Sequence, residues 1–402
     1  MDLSDLYQDL HAHPELSFAE TRTAGIVASR LGELGLEVTT GVGRTGVVGV
    51  LRNGDGPVVG LRADMDALPV EEKTGLPYAS TVRAIDAEGV EVPVMHACGH
   101  DMHVTCLLGA VAELVASREE WSGTVVAYFQ PAEEIGAGAQ AMVEDDIANR
   151  FPRPSIVLGQ HVSPLPAGLL SVHAGPAMAS ADNITVTLYG SGGHGSRPEA
   201  TIDPVVAAAA VVMRLQTVVA REVPAAERVV VTVGAIQAGT KHNIIPDTAT
   251  LMLSVRTTDP QMRERVSAAV ERIIRAEATA AGMTKEPSIQ YVESLPVLVN
   301  DPDATESTRS ALIDAFGADA VIDYGAVTGS EDVGRIADGV DAPVCYWFLG
   351  GGDPEVVGAA MAAGDLDSIP FNHSPLFAPV IEPTLSIGVR ALVTATRYWL
   401  AR

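Results

Sequence analysis

Short, near-continuous apolar runs dominate the first part of the chain: VVGVL (47–51), VVGLRAD (58–64), TVVAYFQ (124–130) and IVLGQHV (156–162). Runs of this kind, apolar at every position rather than at alternate ones, belong to strands covered on both faces. The helical stretch HVTCLLGAVAELVAS (103–117) falls between them, and the alternation predicts an α/β domain with a mainly parallel sheet. Near residue 178 the pattern changes. NITVTLYG (183–190) alternates apolar and polar positions, and Asp203 followed by Pro204 opens a helix through VVAAAAVVMRLQTVVARE. Two strand-like runs follow, VVVTVGAIQA (229–238) and TATLMLSVRT (248–257). A second helix starts at Asp259-Pro260 and stops at Gly282, and SIQYVESL (288–295) closes the series. The order β-α-β-β-α-β is that of a ferredoxin-like α+β domain. Apolar runs broken by glycine then return, as in APVCYWFLGGG (342–352). The expectation is a discontinuous first domain, residues 1–177 and 294–402, carrying an inserted second domain, residues 178–293.

Composition narrows the partners. At 402 residues with 47% hydrophobic content the chain has material for two cores. Its 51 acidic residues outweigh 26 basic ones, for a formal charge of −25, and only Lys73, Lys241 and Lys285 are lysines. A nucleic-acid backbone would be repelled. No uninterrupted apolar run reaches the roughly 20 residues of a membrane span, and the start MDLSDLYQDL is acidic, so the expectation is a cytoplasmic protein with no membrane partner. Three cysteines, Cys98, Cys106 and Cys345, are too few for a disulfide framework and fit a reducing compartment.

The chemistry concentrates in MHACGHDMH, where Cys98 and His100 stand two apart and, on an extended backbone, point the same way. Thiolate and imidazole on one side suit zinc or a related ion, although a buried cysteine beside surface histidines has the same spelling. QPAEE (130–134) ends a buried strand in two adjacent carboxylates, Glu133 and Glu134, which repel each other. A cation resolves the conflict if one carboxylate binds it and the other is left to take a proton from water. His161, in LGQHVSP, sits at the carboxyl end of another strand, the edge where open α/β sheets build their sites, and His373 sits in FNHSPLF. Each histidine alone is equally readable as structural, so the case rests on their occurring together.

These residues lie in stretches that resemble the M20 metallopeptidases, and within them the amidohydrolase branch of hippurate, N-acyl-amino-acid and auxin-conjugate hydrolases. The matching stretches are LHAHPELSF (10–18), GLRADMDALP (60–69), VPVMHACGHDMH (92–103), FQPAEE (129–134), GQHV (159–162), GSGGHGSRPEATIDPV (190–205), GTKHNIIPDTATLMLSVRT (239–257), GSEDV (329–333) and NHSPLF (372–377). The resemblance implies two divalent metal ions, zinc favoured by the thiolate and manganese compatible, held by Cys98, His100, Glu134, His161 and His373. It implies Glu133 as general acid/base, and an inserted domain that is a lid and pairs two subunits into a homodimer. Where other branches carry a histidine ligand in G-H-x-D, this chain reads LRADMD, so Asp64 and Asp66 are expected to orient a histidine ligand rather than to bind metal. His194, in GSGGHGS, is the candidate oxyanion donor, reaching a neighbouring subunit's site in the family. Asn243 and Arg256 are candidates for binding the substrate carboxylate or the oxyanion. His11 and His13 are read as loop packing, and Glu331 as a helix-start residue. The implied reaction is hydrolysis of an N-acyl-L-amino acid by a metal-activated water. The alternatives are a dipeptidase or carboxypeptidase of the same superfamily, and a non-catalytic protein that binds metal or peptide.

Overall fold

A computed structural model describes residues 2–401. The chain forms two compact units. The first comprises the residues up to Gly175, Val299–Gly325 and those from Asp332 onward; the second comprises Pro176–Leu298 and Ala326–Glu331. The short stretch 326–331, assigned from sequence to the first domain, thus clusters with the second.

The first unit is built on an eight-stranded sheet. Its order is Glu37–Val42, Gly46–Asn53, Gly123–Gln130, Val58–Asp64, Ile156–Pro166, Val344–Gly352, Leu170–Val172, Val321–Ile322. The four central strands run parallel, with Asp64 opposite Gln130 and Phe348 opposite His161 in register. They are the apolar runs of the sequence, and the Gly123–Gln130 strand is buried at every position. Helices His100–Ala116 and Thr384–Leu400 pack in the same core, which includes Leu61, Leu107, Val111, Phe129, Leu158, Trp347 and Leu392. Parallel strands align their carboxyl ends along one edge, which is where Asp64, Gln130 and His161 arrive.

The second unit is the expected ferredoxin-like α+β fold. Four antiparallel strands stand in the order Val229–Ala238, Thr248–Thr257, Ser180–Tyr189, Ser288–Leu295. The alternating burial of Ser180–Tyr189 sends Ile184, Val186 and Leu188 into one core with Val211 and Leu215 of the first helix and Val266, Val270 and Ile273 of the second. Both helices are capped as their sequences foretell. The carboxylate of Asp203 accepts from the Val205 N–H and that of Asp259 from the Met262 N–H, with proline in each first turn. Among the described residues one helix, Pro204–Glu222, is long and apolar enough to cross a membrane by length and composition. In this fold its Ala207, Ala208, Val211 and Leu215 belong to the core of the second unit.

Candidate metal centre

The C-x-H element works by a turn rather than by an extended strand. Gly99, between Cys98 and His100, adopts φ 82, and His100 is the first residue of the His100–Ala116 helix. A side chain at position 99 would put its Cβ 2.3 Å from Val162 Cγ1. The side chains do converge, but by different geometry: across the left-handed glycine the ligand atoms of Cys98 and His100 lie within 4.8 Å of one another.

Around that turn the five expected ligands fall into two overlapping groups. Ligand atoms of Cys98, His100 and His161 lie within 4.8 Å of one another, and so do those of Cys98, Glu134 and His373. Cys98 Sγ is 3.5 Å from His161 Nε2, and Glu134 is 3.3 Å from His373 Nε2. His161 Nδ1 faces its neighbour's carbonyl, Val162 O, at 2.8 Å, which puts the proton there and leaves the Nε2 lone pair toward Cys98. His373, at φ 72, is tied by its N–H to Ala97 O at 2.8 Å, and Asn372 donates to Cys98 O and Val162 O.

His100 gives the test of fit. It is fully buried and neither ring nitrogen completes a hydrogen bond. Its Nε2 nevertheless faces Asp64 at 3.7 Å, Glu133 at 3.9 Å and Glu134 at 3.7 Å, and Glu134 Oε1 is likewise without a hydrogen-bond partner. Burial pulls the imidazole toward neutrality, but the carboxylates of Asp64, Asp66 and Glu134 raise its pKa to about 10. Burial, then the charges of Glu134, Glu133 and Asp64, pushes the Cys98 thiol well above its ordinary value, and burial pushes Glu134 up as well. Buried acids that repel one another beside an unsatisfied imidazole and a thiol are costly without positive charge, and this soft-and-hard donor set fits divalent cations.

Two aspartates frame the site. Asp66 Oδ1 accepts the Glu133 N–H at 3.0 Å, Oδ2 accepts the Glu134 N–H at 3.1 Å and the Ser17 hydroxyl at 2.6 Å, and Oδ1 lies 3.3 Å from His100 Nδ1. Asp64 receives Arg62 Nη1 at 2.6 Å and faces His103 Nδ1 at 2.5 Å, while His103 Nε2 accepts the Val162 N–H at 2.7 Å. Burial works against the Asp64 charge, but His100, Arg62 and His103 hold its pKa well below the usual carboxylate range. Both nitrogens of His103 are thereby occupied, so it braces the strand that carries His161.

The residues of the second unit form their own arrangement. His194 pairs with Ile244 across a two-residue bridge, and the Gly195 N–H donates to Asn243 O at 2.9 Å, so His194 and Asn243 are neighbours. His194 Nδ1 accepts the Ser196 N–H at 3.1 Å, which leaves the proton on Nε2. Arg256 Nη1 donates to Thr328 O and Ser330 Oγ, within the same unit.

Sequence reasoning missed several participants. Arg62, fully buried, also donates to Gln130 and Asp332. Asp332, not Glu331, is the residue before the Val333–Val340 helix. His11 lies on the Leu3–Ala12 helix, 2.6 Å from Asp101 and 3.1 Å from Glu72, while His13 is exposed beside Asp9. A charged residue inside the apolar run VVGLRAD was the available signal for Arg62.

The family model described as Peptidase family M20/M25/M40 matches residues 60–363. A thermostable carboxypeptidase 2 of Saccharolobus solfataricus is 38% identical over 347 residues, 85% of this chain and 84% of that one. A hippurate hydrolase of Campylobacter jejuni is 39% identical over 336 residues, 83% of this chain and 84% of that one. Among solved structures, the Bacillus subtilis YXEP protein, described as a dinuclear metal binding peptidase from the M20 family, superposes with a TM-score of 0.78 at 30% identity, covering 99% of this chain and 98% of that one. The chain belongs to peptidase family M20/M25/M40, in its amidohydrolase branch, and is a metal-dependent hydrolase of amide bonds.

Proposed function

We propose that the protein cleaves N-acyl-L-amino acids to a carboxylic acid and a free amino acid. The observation that carries the reading is the gathering of five donor side chains, the unsatisfied His100 among them, with a further carboxylate, Glu133, beside them. Cys98, His100, Glu134, His161 and His373 would hold two divalent ions, zinc or manganese, with the thiolate favouring zinc. When bound, such ions polarise the amide carbonyl and ease the ionisation of water.

Glu133 takes the proton of the attacking water as its oxygen bonds to the carbonyl carbon. It then delivers that proton to the amide nitrogen as the carbon–nitrogen bond breaks. Asp66 fixes the direction of Glu133 and Glu134 through their backbone N–H groups, and Asp64 braces His103. His194, protonated on Nε2, is the donor for the oxyanion, and Asn243 and Arg256 grip the substrate carboxylate. With Arg256 Nη1 serving Thr328 and Ser330, that grip uses the other edge of the guanidinium. In this reading the first unit is catalytic, and the second is a lid that pairs two copies of the chain. Val206 and Met213, 66% and 73% exposed on the Pro204–Glu222 helix, support such pairing. Three unpaired buried cysteines support a cytoplasmic setting.

The test is release of free amino acid from N-acetyl, N-benzoyl and longer N-acyl amino acids by metal-stripped protein reloaded with zinc or manganese. Metal-dependent release is expected, with Glu133→Gln losing about 10²–10⁴-fold in kcat at unchanged metal content. Full activity of that variant overturns the role of Glu133. The carboxypeptidase relative favours a second reading, peptide cleavage. Release only from substrates with a free α-amino group on the acyl side would select a dipeptidase. Silence across the N-acyl panel with metal bound would leave the dipeptidase and the binding-protein readings, which substrates with a free α-amino group then separate.

A further inference from the structure

The loop that carries Glu133 and Glu134 is held by a residue outside every role above. Glu20 is fully buried, and although it precedes the Thr21–Glu33 helix, its side chain does not cap that helix. Oε1 accepts the N–H of Ala132 at 2.8 Å and of Phe18 at 2.9 Å, and Oε2 receives the Thr45 hydroxyl at 2.5 Å. Both backbone donors belong to non-glycine residues in the left-handed region, Phe18 at φ 61 and Ala132 at φ 47. Side chains disfavour that region, and such residues persist only where their surroundings over-determine them.

Ala132 directly precedes Glu133. With Asp66 taking the next two N–H groups, three consecutive amides, 132 to 134, end on two buried carboxylates. Arg44 stacks over the Phe18 ring at 4.1 Å and Thr45 bonds Glu20, so the turn after the Glu37–Val42 strand closes the same corner. Burial, then the charge of Asp66, raises the Glu20 carboxyl to about 7.

We propose that Glu20 is a positioning residue, which by fixing the left-handed turn at Ala132 sets the direction in which Glu133 and Glu134 leave the sheet, and with it both metal affinity and turnover. The proposal rests on the reading of Glu134 as a ligand and Glu133 as the acid/base. It makes Glu20 replaceable by an acceptor of the same reach and irreplaceable by a side chain with none. It also makes the identity of residue 132 matter, because glycine adopts positive φ without support.

The test uses the full chain in four forms: unaltered, Glu20→Gln, Glu20→Ala, and Glu20→Ala combined with Ala132→Gly. Zinc affinity is measured by chelator competition on metal-free protein, and kcat and KM on the best N-acyl amino acid. Glu20→Gln should stay within about twofold of the unaltered protein, while Glu20→Ala should weaken zinc binding and lower kcat by about ten- to hundred-fold, moving KM by less than about threefold. Adding Ala132→Gly should recover most of the zinc affinity. Unchanged zinc affinity in Glu20→Ala, a loss in Glu20→Gln equal to that in Glu20→Ala, or no recovery on adding glycine each overturns the proposal. If Glu20→Ala does not fold, Glu20→Asp keeps the charge but shortens the reach, and should show the same losses. Zinc affinity is read without any substrate, so a chain that cleaves no N-acyl amino acid would sink the functional reading while leaving this test intact.

Discussion

At the scale of single residues, the site is a set of groups held away from their ordinary protonation. His100 and His11 are raised to about 10, in each case because neighbouring carboxylates outweigh the burial that opposes the charge. A group whose folded pKa is raised lends stability that is complete below its unfolded pKa, near 6.5 for histidine, and is lost as pH climbs through the folded value. Glu134 and Cys98, raised by burial and nearby carboxylates, act with the same sign. The metal-free protein should therefore lose stability steadily between about pH 7 and pH 10, read as a falling urea midpoint. Metal-loaded protein should lose less, since cations replace protons as the counter-charge; a flat midpoint for the metal-free form would refute the account. Residues of this kind were legible in sequence when they came in unusual company, as Cys98 with His100 or Glu133 with Glu134. Glu20 and Ser17 were not, because Ala132 and Asp66, which they hold, lie far along the chain; Arg62 showed as a charge within an apolar run, but its partners Gln130 and Asp332 only the fold reveals.

Elements set the next level of precision. The parallel strands deliver Asp64, Gln130 and His161 to one edge, but the ligands Cys98 and His100 depend on a single left-handed glycine. Gly99→Ala combines a left-handed side chain, costing roughly 1–2 kcal/mol, with a Cβ pressed against Val162, costing about 1–3 kcal/mol more. It should lower denaturant stability by about 2–5 kcal/mol by those two contributions together, and reduce bound metal measured by elemental analysis. Normal stability with normal metal content would show that the turn can be remade. The strands and capped helices were readable because periodicity, Asp-Pro starts and glycine stops are local signals. The turn at Gly99 was not, since a two-residue spacing reads equally as a strand.

For the whole molecule, charge is the property that reaches furthest. A chain of formal charge −25 meets, in the proposed reaction, a substrate that is itself a carboxylate. Repulsion slows such encounters at low salt, where fields extend about 30 Å, and fades at physiological ionic strength, where they extend about 8 Å. Raising salt across that range should increase kcat/KM for N-acyl amino acids and leave it unchanged for the corresponding uncharged amides. An identical response of both would mean that the field at the site is not that of the surface. The two-domain plan itself was visible as a change of hydrophobic grammar, whereas the stretch 326–331 is too short to carry a pattern that announces where it packs.

The sheet order has a consequence for how the chain comes to life on the ribosome. The strand bearing His161 lies between Val58–Asp64 and Val344–Gly352, so one of its two neighbours is synthesised nearly two hundred residues later. Most of the second unit, residues 176–298, emerges in between as an almost continuous piece. The host sheet must therefore wait, with an open central edge, while its insert is already able to collapse. Such long-range pairing folds slowly and leaves sticky intermediates. Synthesis itself, before any metal or substrate arrives, is the stage at which this architecture leaves a central strand edge unpaired for longest.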